Sequence, residues 1–249
     1  MKARLLQLTL LVLLAGLCGI AVMPARWIIA ALPDTGLLMV ADADGSLWSG
    51  SATLAIGRPE LRRSIPEPLR WELVLAGGPH LVASHPWLAG EVELAPAWRG
   101  LRVSSQTLRM PASTLTTLHA TLGSLDPAGE LLLSWPEQVI GAGTPEPGSP
   151  LLDLRWNSAA SALSPVRPLG AYRVLFSQGD AERIDIGLTT LISPLLLQGQ
   201  GTWSADQGLR FEGRAQVDAA ATPDTRIALE PLLNILGPRQ GDHTRLSFH

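Results

Sequence analysis

The chain has 249 residues, with 19 lysines and arginines against 22 aspartates and glutamates, and 46% of its residues are hydrophobic. Only 16% are charged, and so much apolar surface can offset the entropy cost of ordering, which excludes an intrinsically disordered protein. The near-neutral charge argues against a nucleic-acid-binding protein. Lys2 is the only lysine, which excludes a phosphate-loop or Schiff-base lysine in the body of the chain. Cys18 is the only cysteine, which excludes disulfide frameworks and cysteine zinc sites.

The first predicted element is an apolar segment from Leu5 to Met23 that contains no charged residue. At about 1.5 Å per residue it spans about 28 Å, close to the roughly 30 Å hydrocarbon core of a bilayer. Lys2 and Arg4 precede it, so the positive-inside bias predicts a cytoplasmic N-terminus and a periplasmic remainder in a bacterium. A cleavable signal peptide is the alternative, but Met23 and Pro24 interrupt the small-residue cleavage pattern. We therefore predict an uncleaved, single-pass inner-membrane anchor within residues 1–26.

The part after the anchor is acidic. Without Lys2, Arg4 and Arg26 it holds 16 basic and 22 acidic residues, a net charge of −6. Such an ectodomain does not adhere to anionic lipid headgroups through charge. Partners are therefore expected to be recognised by shape or by strand pairing.

From residue 34 onwards, short stretches of alternating apolar and polar residues are separated by Gly, Pro, Asp and Ser. This pattern is typical of antiparallel strands. The clearest examples are Trp71–Leu75, Gly90–Leu94, Gly129–Trp135, Arg183–Leu188 and Leu209–Val217. We predict a mainly β protein: one N-terminal transmembrane helix and a predominantly antiparallel β ectodomain with one or two short helices.

Two stretches show helical spacing instead. The first carries leucines at 115, 118 and 122, with Ser113 as a possible N-cap and Gly123 as a stop. The second carries leucines at 229, 232, 233 and 236, with Pro231 near the first turn and Gly237 after the last. Both are expected to pack an apolar stripe on the sheet, and an interaction helix remains the alternative for the second.

The Pro- and Gly-rich stretch 141–150 shows no periodic spacing of apolar residues and is predicted to be a linker or an exposed loop. It divides the ectodomain into a first β-rich half, residues 34–140, and a second β-rich half, residues 151–249, which includes the C-terminal helix.

The residue types that carry catalysis or bind cofactors form no recognisable motif. The five histidines show no ligand spacing, and the Gly199–Gly201 stretch lacks the third glycine of a dinucleotide-binding turn. Glu91 and Glu93 share a strand face, as glycosidase acids could, but such alternation is typical of a solvated face. We predict no catalytic residue, no cofactor and no metal site.

Eight tryptophans against one tyrosine require a separate interpretation. Trp27 suits the membrane interface, and three tryptophans lie on apolar faces and are predicted to be core, namely Trp71, Trp135 and Trp156. The remaining four lie beside Gly or Pro at strand edges and are candidate partner contacts, although they could equally close the ends of a sheet: Trp48, Trp87, Trp98 and Trp203.

The order of several short segments resembles the type II secretion system protein N family (general secretion pathway protein N). After the N-terminal anchor these segments are Gly45–Ala52 (GSLWSGSA), Leu69–Trp71 (LRW), Pro127–Trp135 (PAGELLLSW), Leu169–Tyr172 (LGAY) and Leu195–Trp203 (LLLQGQGTW), followed by the Leu-rich C-terminal segment. The resemblance covers nearly the whole chain, with residues 141–150 as a departure.

The resemblance implies a non-catalytic accessory component of the machine that exports folded proteins across the outer membrane of Gram-negative bacteria. It implies the inner-membrane platform and the outer-membrane secretin as partners. The alternative function is a periplasmic lipid-binding or lipid-transfer β-groove protein, in which Leu-rich strands such as residues 193–197 would line an apolar trough.

Overall fold

The computed structural model describes residues 23–27, 36–118, 120–141 and 143–248. The predicted anchor, Leu5 to Met23, lies outside the described residues except for its last member. Among the residues described, no helix has both the length and the apolar character that crossing a bilayer requires.

The first sheet contains eight strands, and every neighbouring pair is antiparallel. The strands are β1 (Leu38–Gly45), β2 (Ser49–Ile56), β3 (Arg63–Ser64), β4 (Leu69–Val74), β5 (His80–Ser84), β6 (Val92–Ala97), β7 (Gly100–Val103) and β10 (Gln138–Ile140). Their spatial order is β1-β2-β4-β5-β6-β7-β10, and β3 pairs with β2.

The second sheet contains nine strands in the order β16-β17-β15-β14-β13-β12-β11-β9-β8, also antiparallel throughout. The strands are β8 (Gln106–Pro111), β9 (Ala128–Trp135), β11 (Pro150–Ala160), β12 (Gly170–Gln178), β13 (Ile184–Ile192), β14 (Leu195–Ser204), β15 (Gly208–Val217), β16 (Arg239–Gln240) and β17 (His243–Phe248). The prediction of a mainly antiparallel β fold is confirmed.

Alternation along the strands gives the second sheet one apolar and one polar face. Leu133, Leu154, Val174 and Leu188 lie directly opposite one another on four successive strands and share the apolar face. The polar face carries cross-strand ion pairs, such as Arg109 with Glu130 at 3.4 Å, Arg173 with Asp153 at 2.8 Å and Arg245 with Glu212 at 2.9 Å. The register therefore keeps charge and apolar side chains on opposite sides.

The helical stretches are confirmed, with corrected ends. A 3₁₀ helix, Ala112–Thr117, precedes the short α1 (Ala120–Leu125). Ser113 is not the predicted N-cap, because the 3₁₀ helix begins one residue before it and has no side-chain cap. Gly123 does not stop the helix but lies inside α1.

The second helix, α2, is longer than predicted. It runs over Pro223–Leu236, and its N-cap Thr222 accepts a hydrogen bond from the amide of Thr225. Pro231 lies inside the helix rather than in its first turn, while Gly237 is the C-cap, as predicted. An N-cap threonine with a following proline satisfies the first amides, which explains the earlier start.

A buried cluster lies between α2 and the second sheet. Leu229 and Leu232 of α2 are 0% and 3% exposed and pack with Leu169 and Leu195. This confirms that the second helix packs into the core. A second cluster of Ile186, Phe211, Ala215 and Leu246 continues it across neighbouring strands.

A bridge between Leu88 and Leu108 joins the two sheets. The amide of Ala89 donates to the carbonyl of Thr107 at 2.9 Å, and the amide of Arg109 donates to the carbonyl of Trp87 at 2.6 Å. β8 and β9 thus belong to the second sheet, and the chain then returns to the first sheet as β10. The division of the ectodomain at residues 141–150 stays a prediction.

Candidate functional site

The residues that follow the predicted anchor are hydrogen-bonded to the turn between β1 and β2. The amide of Leu47 donates to the carbonyl of Met23 at 3.2 Å, and the amide of Ala25 donates to the carbonyl of Gly45 at 3.1 Å. Pro24 and Ser46 form a β-bridge between these two contacts. The end of the apolar segment therefore lies against the turn between the first two strands of the first sheet.

Three tryptophans predicted to be core are half-buried, and each indole N–H is satisfied by a backbone carbonyl. Trp71 donates to Ser46 at 3.2 Å. Trp135 donates to Ser104 at 3.0 Å, and Trp156 donates to Ala128 at 2.9 Å. These bonds fix each ring against its sheet, as expected for a half-buried indole.

The four candidate contact tryptophans lie in four different elements of the fold. Trp48 is 38% exposed in the turn between β1 and β2, and Trp98 is 98% exposed in the turn between β6 and β7. Trp87 is half-buried at the junction of the sheets and lies edge-on to His85, with ring centroids 5.6 Å apart. Trp203 lies far along the chain in β14. The structure therefore does not bring the four together.

Trp203 belongs to an exposed aromatic patch that we define by Trp203, Leu209 and Phe248, which are 43%, 43% and 54% exposed. Leu209 is the direct cross-strand partner of Trp203. The ring of Phe248 lies 6.1 Å from that of the buried Phe211. Sequence reasoning missed Leu209 and Phe248, because alternation identifies a strand face and not whether another element covers it.

Glycines lie beneath the ring of the buried Phe211, which neighbours Phe248 of the exposed patch. A Cβ on Gly199 would lie 2.4 Å from Phe211 Cζ, and one on Gly201 would lie 2.8 Å from Phe211 Cδ2. A Cβ on Gly213 would lie 3.1 Å from Phe211 Cε1 of the same ring. An aromatic side chain laid across strand glycines covers the backbone that they would otherwise leave exposed. The two glycines of the LLLQGQGTW segment therefore make room for the ring of Phe211.

The second sheet carries an open groove of about 1430 Å³, lined by polar side chains and by apolar residues such as Leu188 and Phe211. Its polar side chains come from the six strands β12 to β17 and include Gln198, Gln200, Arg210, Glu212, Arg214 and Arg245. Arg245 pairs with Glu212 at 2.9 Å, and Arg214 donates to Gln198 at 2.8 Å. Solvent-exposed pairs of this kind contribute little stability.

The Leu-rich strand expected to line an apolar trough has a different role. Leu195 is 2% exposed and packs with Leu169, Leu229 and Leu232 in the core. None of residues 193–197 lines the groove on this sheet. The lipid-groove alternative thus gains no support from residues 193–197.

Two hydrogen-bonded groups shape the edge of the core near β14. The buried hydroxyl of Tyr172 lies 3.0 Å from the carbonyl oxygens of Leu169 and Leu195, and burial raises the pKa of this phenol well above its ordinary value. The Ser193 hydroxyl donates to the carboxylate of Asp218. That bond, and a further one from the amide of Ala220, hold the pKa of Asp218 below its ordinary value.

Among the residues that the structure describes, no group of three His, Cys, Asp or Glu side chains could hold a metal ion. Glu91, just before β6, and Glu93, within β6, are both exposed, as expected for a solvated strand face. The predictions of no cofactor and no catalysis stay predictions.

Comparison with known proteins identifies a family. A family model described as type II secretion system (T2SS), protein N, matches residues 37–247. No curated protein and no solved structure matches the chain significantly.

Proposed function

Because the chain belongs to the type II secretion system protein N family, an accessory component of type II secretion, we propose that it acts as a non-catalytic, membrane-tethered β scaffold. The family match over residues 37–247 is the observation that carries this proposal. The scaffold contacts the inner-membrane platform, the outer-membrane secretin or both during export of folded proteins.

The proposed tether is Leu5 to Met23, an inner-membrane anchor that leaves both sheets in the periplasm. The hydrogen bonds from Leu47 to Met23 and from Ala25 to Gly45 support it. They leave no free linker between the end of the apolar segment and the turn after β1. The ectodomain is therefore held at a defined position relative to the anchor.

The proposed protein contact is the exposed patch of Trp203, Leu209 and Phe248, which adjoins an open strand edge. β16 pairs with β17 only at His243 and Thr244, so in the described part of the chain the outer edge of β17 has no strand partner near Phe248. A partner strand added there would gain backbone hydrogen bonds and bury the aromatic patch. Aromatic side chains at the centre of an interface commonly dominate its binding energy.

Photo-crosslinking in secreting cells tests the protein contact. A photoreactive amino acid at position 203 is expected to capture a platform or secretin subunit. The matched control is position 202, because Thr202 is the chain neighbour of Trp203 and faces the polar side of the same strand. Equal capture from both positions, or capture from neither, would contradict the proposed contact.

Complementation tests the scaffold function. In the native host without this chain, a normally exported enzyme is expected to accumulate in the periplasm. The full-length chain should restore export and a chain without residues 1–22 should not. Normal export in the deletion strain would overturn the function, and rescue by the shortened chain would overturn the tether.

A further inference from the structure

Three hairpin turns of the first sheet lie at the same end of that sheet. In the spatial order β1-β2-β4-β5-β6-β7 every neighbouring pair is antiparallel, so successive connections alternate between the two ends. The β1–β2, β4–β5 and β6–β7 turns therefore form one row, which we call the tip row: Gly45–Ser49, Leu75–Pro79 and Ala97–Gly100. Two strands separate successive turns, which places them roughly 10 Å apart.

Each turn of the tip row presents one large apolar side chain to solvent. Trp98 is 98% exposed, Leu75 is 69% exposed and Trp48 is 38% exposed. A nearly fully exposed tryptophan contributes nothing to packing of the sheet that carries it. Exposed apolar side chains that recur in a row mark an interaction surface rather than scattered surface residues.

The apolar segment of the chain ends at this same row. The carbonyl of Met23 accepts a hydrogen bond from Leu47, and Ala25 is bonded to Gly45, both in the first turn of the row. Trp27, directly after these residues, is 63% exposed. If Leu5 to Met23 crosses the membrane, the tip row lies at the bilayer surface.

The charge of the row also suits a bilayer. The three turns contain no aspartate or glutamate, and their one charged residue is Arg99, beside Trp98. This differs from the ectodomain as a whole, whose net charge is −6. Tryptophan favours the interface between lipid headgroups and acyl chains, and arginine favours the phosphates above it.

We propose that the tip row of the first sheet rests on the membrane, with Trp98, Leu75 and Trp48 inserted at the lipid interface. This inference rests on the proposed anchor. Apolar insertion supplies the binding, since charge attraction to anionic lipid is absent. The contact fixes the tilt of the first sheet relative to the inner membrane.

The test uses the full chain reconstituted in vesicles of phosphatidylethanolamine and phosphatidylglycerol. An environment-sensitive fluorophore is attached to one cysteine at a time, and lipids brominated on the acyl chain near the glycerol act as quenchers. Positions 98 and 75 are labelled through Trp98→Cys and Leu75→Cys in a Cys18→Ala background. The matched control is Leu61→Cys, because Leu61 is 37% exposed after β2, at the opposite end of the same sheet. Native Cys18 reports the anchor itself.

Quenching at positions 18, 98 and 75 without quenching at position 61 is the expected result. Quenching at 18 alone overturns the tip-row contact and leaves the anchor intact. No quenching at 18 overturns the anchor, and the tip-row inference with it. Equal quenching at 98 and 61 shows that the ectodomain lies on the bilayer without preferred orientation, which also overturns the proposal.

A second variant separates lipid contact from folding. Trp98→Asp changes a side chain that is 98% exposed, so the thermal unfolding of the protein should not change. The same variant is expected to reduce quenching of the label at position 75, since an aspartate at the interface opposes insertion of the neighbouring turn. Leu61→Asp is the control and should leave quenching at 75 unchanged. An unchanged signal in Trp98→Asp would count against cooperative insertion of the row.

Discussion

Replacing Gly199 by alanine places a methyl group against two obstacles on the apolar face of the second sheet. The added Cβ would lie 2.4 Å from Phe211 Cζ and 2.8 Å from the carbonyl oxygen of Glu212. The ring can turn aside only by leaving the cluster with Ile186, Ala215 and Leu246. The carbonyl belongs to the paired strand β15 and cannot move without disturbing the ladder.

The expected cost follows from these contacts. Overpacking of a well-packed site typically costs about 1–3 kcal/mol, and the fixed carbonyl places Gly199→Ala near the upper end, at about 3 kcal/mol. For a domain of this size roughly 2–4 °C of melting temperature corresponds to 1 kcal/mol, so Tm should fall by about 6–12 °C. Gly187→Ala is the matched control, because Gly187 lies on the neighbouring strand β13 and its added Cβ would meet no atom within 4 Å.

Thermal unfolding of the purified full chain, followed by circular dichroism, measures both variants. Gly187→Ala should stay within about 0.5 kcal/mol of the wild type or be slightly stabilised. In a Phe211→Leu background the cost of Gly199→Ala should fall by at least about 1 kcal/mol, since the contact with the ring is gone. The same Tm for Gly199→Ala and Gly187→Ala would refute the reasoning.

Three further predictions concern polar groups. Tyr172 is the only tyrosine, and burial raises its pKa. Above about pH 10 the phenol ionises in the unfolded chain but not in the folded protein, so the stability of the wild type should fall as the pH rises through this range. Tyr172→Phe should lose about 1–2 kcal/mol at pH 7 in urea unfolding and show no such alkaline loss, and an unchanged alkaline slope would contradict this. The pKa of Asp218 is lowered mainly by Ser193, so its contribution is present above about pH 4 and is lost as the pH falls through the lower folded value. Ser193→Ala should flatten this acid dependence in Tm measured against pH, with Ser149→Ala as a control expected to retain it. Asp153→Asn should cost about 1 kcal/mol in urea unfolding, because the two carboxylate oxygens of Asp153 share the Arg173 Nε–H at 3.0 and 3.1 Å and one of them pairs with Nη2 at 2.8 Å. The control is Asp180→Asn, because Asp180 is exposed and pairs with Arg183 at 3.5 Å; an equal cost for both variants would argue against the prediction.

The β architecture could be predicted because period-two alternation is a local property of the sequence. Gly129–Trp135 and Leu209–Val217 became β9 and β15 almost residue for residue. The helix ends were harder to predict. The leucine spacing predicts Pro231 near the first turn, whereas the N-cap at Thr222 begins the helix two turns earlier. Capping depends on backbone geometry that apolar spacing does not report.

The candidate surfaces could be predicted only in part. Trp48, Trp98 and Trp203 are exposed to solvent, but Trp87 is half-buried at the junction of the sheets. Which exposed side chains share one surface depends on strand order, a long-range property that no local pattern contains. Leu75 shows this, since it joins Trp48 and Trp98 only after the alternation of hairpin ends is known.

The bridge between Leu88 and Leu108 has a mechanical consequence. Where the edge of β8 meets the first sheet, two backbone hydrogen bonds hold it, those of Ala89 and Arg109, and the side chain of Gln106 adds one to the carbonyl of Glu91. The long neighbouring strands within each sheet are joined by more pairs, ten in the case of β14 and β15. Local opening requires least free energy where the fewest bonds must break. A force applied to one sheet should therefore bend the molecule at this junction before it separates strands within either sheet. The junction would then act as a hinge between two more rigid sheets.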